Sequence, residues 1–140
     1  LVGSGIQPRA GIGICSVTGI LTNDANSDLN TADVIQMVKI PKGATILDVI
    51  VAVAAAGLDT GATILWTLGD TDATDDTDRY ITSSSIGQSS GGGVVRMNNQ
   101  AGAGYKFAAD GTIDLTIATG AGTNVATGVV TVTAIYTMDA

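Results

Sequence analysis

The densest apolar run of the chain, Val34 to Leu58 (VIQMVKIPKGATILDVIVAVAAAGL), is broken at Ile40-Pro41-Lys42-Gly43. Pro41 fixes φ there and Gly43 offers a backbone conformation that side chains disfavour, so these residues read as a turn. Before the turn, Val34, Gln36, Val38 and Ile40 alternate with Ile35, Met37 and Lys39. After it, Leu47, Val49, Val51 and Val53 alternate with Ile46, Asp48, Ile50 and Ala52. A period of two on both sides of a turn predicts a hairpin of two long, half-buried strands. A helix over Ile46–Ala56 competes, because Ile46, Val49, Ile50 and Val53 also fit helical spacing. The β-branched crowding over Val49, Ile50, Val51 and Val53 favours the strand.

The rest of the composition agrees with strands. Thr, Val, Ile, Gly and Ala dominate, strong helix formers are scarce, and every one of the 13 acidic residues is Asp. With 140 residues the chain suits one domain that buries roughly two-thirds of its unfolded surface. The net charge of −7, with six scattered cations (Arg9, Lys39, Lys42, Arg79, Arg96, Lys106), argues against a nucleic-acid partner, which needs clustered Lys and Arg. No apolar run reaches the roughly 18 residues of a membrane span, since Asp48 interrupts the longest, so no membrane partner is expected. No basic segment followed by an apolar core marks the N-terminus for export, and processing before Leu1 stays open. Cys15 is the single cysteine, which excludes an internal disulfide and a Cys-based metal cage; its apolar surroundings predict a buried, inert thiol.

Taken in order, residues 1–10 (LVGSGIQPRA) have no period and carry Gly3, Gly5 and Pro8, so they read as an extended N-terminal arm ahead of a single domain at 11–140. Ile12–Leu21 alternates as a first strand, and Thr22–Asp33 is a polar loop rich in Asn and Asp. Gly57-Leu58-Asp59-Thr60-Gly61 ends the central run. Thr63–Leu68 is a further strand, with Ile64, Trp66 and Leu68 on one face and Trp66 as a core anchor. The cluster Asp70–Asp78 (DTDATDDTD) is expected to be a solvent-facing loop partly neutralised by Arg79. It begins like a Ca²⁺ loop, but Asp75 stands where the glycine belongs and Ile81 where the closing Glu belongs, so no metal site is expected.

Arg79-Tyr80-Ile81 reads as a short strand, and Ser83–Gly93 (SSSIGQSSGGG) as a low-complexity, flexible segment. Val94–Met97 and Tyr105–Phe107 are short strand candidates, and Asp110-Gly111 is a tight turn after the latter. Thr112–Thr119 directs Ile113, Leu115 and Ile117 one way, and Thr112, Asp114 and Thr116 the other. Gly128–Thr137 is the last strand. Eight or nine strands with no long helix predict an all-β fold, an antiparallel β-sandwich of jelly-roll type.

Chemistry is sparse. There is no His and no Glu, the Asp cluster gives similar environments to all its carboxyls, and no base accompanies the Ser and Thr hydroxyls. No Gly-x-Ser-x-Gly elbow occurs. No catalytic residue, cofactor site or metal site is assigned, and an enzyme is not expected. The work then falls to the surface, in an assembly component or a binding module.

The order Ile40-Pro41-Lys42-Gly43-Ala44-Thr45-Ile46-Leu47-Asp48-Val49, Leu58-Asp59-Thr60-Gly61, Leu68-Gly69-Asp70 and Asp78-Arg79-Tyr80-Ile81 resembles small structural proteins of tailed-phage head modules. So does the ending: Asp110-Gly111-Thr112-Ile113-Asp114-Leu115-Thr116, a Gly/Thr loop, and a strand closing at Tyr136-Thr137-Met138-Asp139. The similarity covers about residues 34–140. The Ile-Pro-x-Gly-Ala turn occurs in many β-proteins; its order with the later segments is more specific. The resemblance implies a head decoration, or cement, protein on the outer capsid surface of the virion, commonly a homotrimer, that bridges neighbouring subunits of the major capsid protein. Another phage structural component, of tail or fibre, is the alternative within that class. An extracellular carbohydrate-binding sandwich is the alternative outside it. For an assembly role the arm, with Leu1, Val2, Ile6, Pro8 and Arg9, is the expected interaction segment.

Overall fold

The structure, a computed structural model, describes residues 13–24, 28–72, 74–89 and 91–138. The alternating stretches become eight strands: β1 (Ile14–Thr22), β2 (Val34–Ile40), β3 (Ala44–Val53), β4 (Leu65–Thr71), β5 (Asp76–Ser84), β6 (Gly93–Arg96), β7 (Gly111–Thr119) and β8 (Val129–Met138). They form two four-stranded antiparallel sheets, β1-β8-β3-β6 and β2-β7-β4-β5. Successive strands β1 to β4 alternate between the sheets as β1, then β2, then β3, then β4, which is the double Greek-key order of a jelly roll. The all-β sandwich read from the sequence is therefore present, with eight strands.

The central turn is present too, with Gly43 at φ 85°. The hairpin is not. β2 pairs with β7, and β3 with β8 and β6, so the turn is a corner that carries the chain from one layer to the other. Its donors are spent away from a hairpin ladder: the Lys42 N–H goes to Asp110 Oδ1 and the Gly43 N–H to the Phe107 carbonyl, each at 2.8 Å. Period-two alternation says which face of a strand is buried and nothing about its neighbour. Here the two apolar faces meet across the core.

Two β-bulges reset the alternation. The register breaks between Gln36 and Val38, and again between Ile46 and Asp48. Ile46 and Val49 both point inward as a result, and Leu47 is left exposed. The core is built from Val49, Val51, Leu68, Ile81, Ile113, Leu115, Ile117, Val130 and Val132 around Trp66, Tyr80 and Phe107. Trp66 is fully buried and its indole N–H donates to the Ile86 carbonyl at 2.8 Å, the anchor role expected of it.

Other short segments differ from their sequence reading. Tyr105–Phe107 adds no ninth strand. It bridges the start of β3 through Thr45 and Lys106, and exchanges backbone bonds with Ala44 and Ile46. Asp110-Gly111 is accordingly a passage between sheets rather than a hairpin turn. Ser83–Gly93 is tied down where it is described: Gln88 Nε2 donates to the Ile64 carbonyl, and Gly87 accepts the N–H groups of Leu58 and Asp59. Cys15 is half-buried rather than buried, because β1 lies at the edge of its sheet.

Candidate functional site

The strands run between two ends, and a buried aspartate organises each. At one end the connections after β1, β3, β5 and β7 meet. Asp59, fully buried, collects the N–H groups of Gly61 (2.7 Å), Thr63 (2.7 Å), Ile64 (2.9 Å) and Thr123 (2.8 Å) and the Thr63 hydroxyl (2.9 Å). Its own backbone bonds reach Gly87 and Ser89. Burial pushes this carboxyl up, but the N–H groups of Thr123, Thr63 and Ile64 outweigh it and hold it well below the usual carboxylate range. In the sequence, Gly57-Leu58-Asp59-Thr60-Gly61 marks only the end of the central apolar run. That the Asp59 carboxylate would bind the β7–β8 connection, and its backbone the β5–β6 connection, was not legible there.

At the other end lie the β2–β3 corner, the β4–β5 connection and residues 97–110. Here the acidic cluster departs from the expected solvent-facing loop. Asp70 belongs to β4 and its side chain has no exposed surface. Arg79 Nε donates to Asp70 Oδ2 at 2.6 Å and the Tyr80 hydroxyl to the same oxygen at 2.8 Å. The guanidinium also donates to the Thr74 carbonyl and lies 3.8 Å over the Tyr105 ring. Asp72 accepts the Tyr105 hydroxyl and the N–H groups of Ala108 and Ala109, so it fastens the 97–110 segment to the β4–β5 connection. Burial raises the Asp70 carboxyl despite these donors, and it raises the Tyr80 phenol far above its ordinary value.

The register of β4 with β5 shows why so many charges fold inward. Leu68 pairs with Ile81 and Asp70 with Asp76, so one residue of β4 opposes four of β5. The extra length arches over the outer face of the sheet at Gly69, where any Cβ would lie 1.8 Å from the Asp76 carbonyl oxygen. Under this arch, and paired with Gly69, sits Asp114. It is buried although it points to the outer face, and its Oδ1 has no hydrogen-bond partner. Burial raises its carboxyl, and the Thr71 and Thr112 hydroxyls offset this only in part.

Among the described residues no three His, Cys, Asp or Glu side chains converge as a metal cage. A cleft of about 630 Å³ is lined by Gln36, Lys39, Ile40, Pro41, Thr71, Asp110, Gly111 and Thr112. Its single carboxylate, Asp110, is the acceptor for the Lys42 N–H. That lining offers no acid–base pair.

The two broad faces differ. The outward positions of β1, β8, β3 and β6 are apolar or hydroxyl-bearing, with few charges: Ile14, Ser16, Thr18, Ile20, Thr22, Thr131, Thr133, Ile135, Ile50, Ala52 and Val94. The charges on those outward positions, Asp48 and Arg96, are bonded to each other. The outward positions of the other sheet carry Gln36, Lys39 and the acidic arch of β5. The expected arm residues Leu1, Val2, Ile6, Pro8 and Arg9 lie outside the described residues.

These features define an eight-stranded jelly-roll protein whose polar interior is structural and whose broad face is neutral. No protein-family model matches the chain, and no curated protein matches it. Solved structures share the fold. A chain in the capsid of Ralstonia phage GP4 is similar with a TM-score of 0.76 at 19% identity, over 96% of this chain and 90% of that one. A chain of the cyanophage Pam1 capsid asymmetric unit matches with a TM-score of 0.72 at 24% identity, over 93% and 88%. One in the acid-stable capsid of Helicobacter pylori bacteriophage KHP30 matches with a TM-score of 0.56 at 11% identity, over 89% and 92%.

Proposed function

We propose that this protein is a non-enzymatic structural component of a phage capsid, and that it decorates the outer capsid surface as a homotrimer. Its partner is the major capsid protein, whose neighbouring subunits it bridges. The observation that carries this reading is the shared jelly roll: nearly the full length of this chain matches nearly the full length of chains in three phage capsid structures. The physical character of the molecule supports it. A capsid-stabilising protein needs a rigid body and a surface suited to protein contact. Buried hubs at both ends supply the rigidity, and a broad face that is neutral in a chain of net charge −7 supplies the surface. The carbohydrate-binding alternative calls for several exposed aromatics on one face, and Trp66, the single Trp, is fully buried with its N–H taken.

The test is addition of the purified protein to capsids that lack it. Co-sedimentation, with a rise in the temperature at which the capsid breaks open, is expected. Failure to bind, with binding to tails or fibres instead, would overturn the outer-capsid assignment.

A further inference from the structure

The jelly roll has four edge strands, and three of them carry features that discourage further pairing. β2 contains a bulge and Lys39. β5 is arched, and its Tyr80 carbonyl is taken by the N–H groups of Asn98 and Asn99. β6 has four residues and ends on Arg96. β1 has none of these. Its nine residues (ICSVTGILT) pair with β8 in an unbroken register and contain no charge and no proline. No backbone group of Ile14–Thr22 bonds to a backbone group of any described residue outside β8. β2 packs against the inner face of β1, where Gly19 admits the Met37 carbonyl, and leaves the pairing edge open. The exposed Ile14 and Ile20 flank that edge at 76% and 67% accessibility. A long, flat, uncharged edge is a template for another strand.

We propose that the β1 edge receives the arm, Leu1 to Arg9, of a neighbouring copy. This rests on the self-association in the reading above and adds which segment meets which surface. Length fits: nine arm residues and the nine of β1 each span about 30 Å in a strand. Position in the sequence fits as well, because only residues 10–13 separate the arm from β1. Leu1, Val2 and Ile6 would be covered along with Ile14 and Ile20, and Pro8 is tolerated in an outermost strand. The contact is head-to-tail, and where its rotation closes it makes a ring such as a trimer.

Cys15 on β1 provides the probe, since it is the single cysteine. Nine residues laid on nine set Cys15 opposite Val2 in a parallel pairing and opposite Pro8 in an antiparallel one, so cysteine is placed singly at Val2, Ser4 or Pro8 in a chain carrying Cys15→Ser, and each variant is mixed with the unaltered protein under mild oxidation. A disulfide-linked heterodimer at one of these positions, well above the other two, is expected. In parallel, Ile20→Lys and removal of residues 1–10 should each weaken self-association at least tenfold while leaving the circular dichroism of the folded chain unchanged. Absence of cross-links at all three positions, or either variant associating as tightly as the intact chain, overturns the pairing. So does an intrachain link only, in a chain carrying Cys15 and the new cysteine together, which would mean the arm covers its own β1. All these readouts use purified protein, so a failed pairing is distinguishable from a failure to bind capsids.

Discussion

Asp59 Oδ1 accepts the Thr123 N–H at 2.8 Å across 64 residues of chain, and the same oxygen accepts the Gly61 N–H. One short carboxylate thus fixes the β3–β4 loop to the β7–β8 loop. Asp59→Ala leaves several buried donors without an acceptor, and a loss of about 3–5 kcal/mol in urea unfolding is expected. Asp59→Asn keeps the shape but cannot accept all of these bonds, and should lie between. The pH dependence has a definite sign. Because folding lowers this carboxyl, its contribution is complete above the ordinary Asp value of 3.8 and disappears as pH falls through the folded value. Asp59→Asn should therefore flatten the acid side of the stability profile.

Asp114 gives the opposite sign. Its carboxyl is raised by burial, so protonation favours the folded chain, and stability from this group falls as pH rises above 3.8. Asp114→Asn removes the charge from beneath the β5 arch. A gain of about 1–3 kcal/mol at pH 7, the usual penalty for a buried group that lacks a partner, is expected, shrinking as pH falls towards 3.8. A loss at pH 7 in chemical denaturation would show that the carboxylate is satisfied.

At the other end, Arg79→Met should cost about 3–5 kcal/mol because it strands Asp70 without its cation. Combined with Asp70→Asn the cost should be clearly less than the sum of the two single changes, since each already removes the shared interaction. Additive thermal shifts in this cycle would mean that the ion pair contributes nothing.

Trp66→Ala is expected to cost about 3–5 kcal/mol, as for other large-to-small core changes. Native Trp fluorescence should resist iodide, given complete burial. Ready quenching would contradict the packing described here.

What the sequence made legible follows from the reach of its signals. Alternation marked Ile113, Leu115 and Ile117 and the Ile64–Trp66–Leu68 row as core, and all are fully buried. Alternation is local, so it could not say that β2 and β3 belong to different sheets, nor anticipate the bulges that expose Leu47. The Asp70–Asp78 cluster misled for a similar reason. Charge density predicts solvent when each residue is taken alone, whereas the arch of β5 brings Arg79 and Tyr80 inward to Asp70. The neutral broad face and the open edge of β1 depend on which strands are neighbours, and no stretch of sequence carries that information.

The decisive measurement is a cryo-EM reconstruction of the particle that carries this protein. The account predicts density fitting the β1–β8 jelly roll on the outer surface of the head, in trimers that touch neighbouring subunits of the major capsid protein. Density for this fold only in the tail, or on the inner side of the shell, would contradict it.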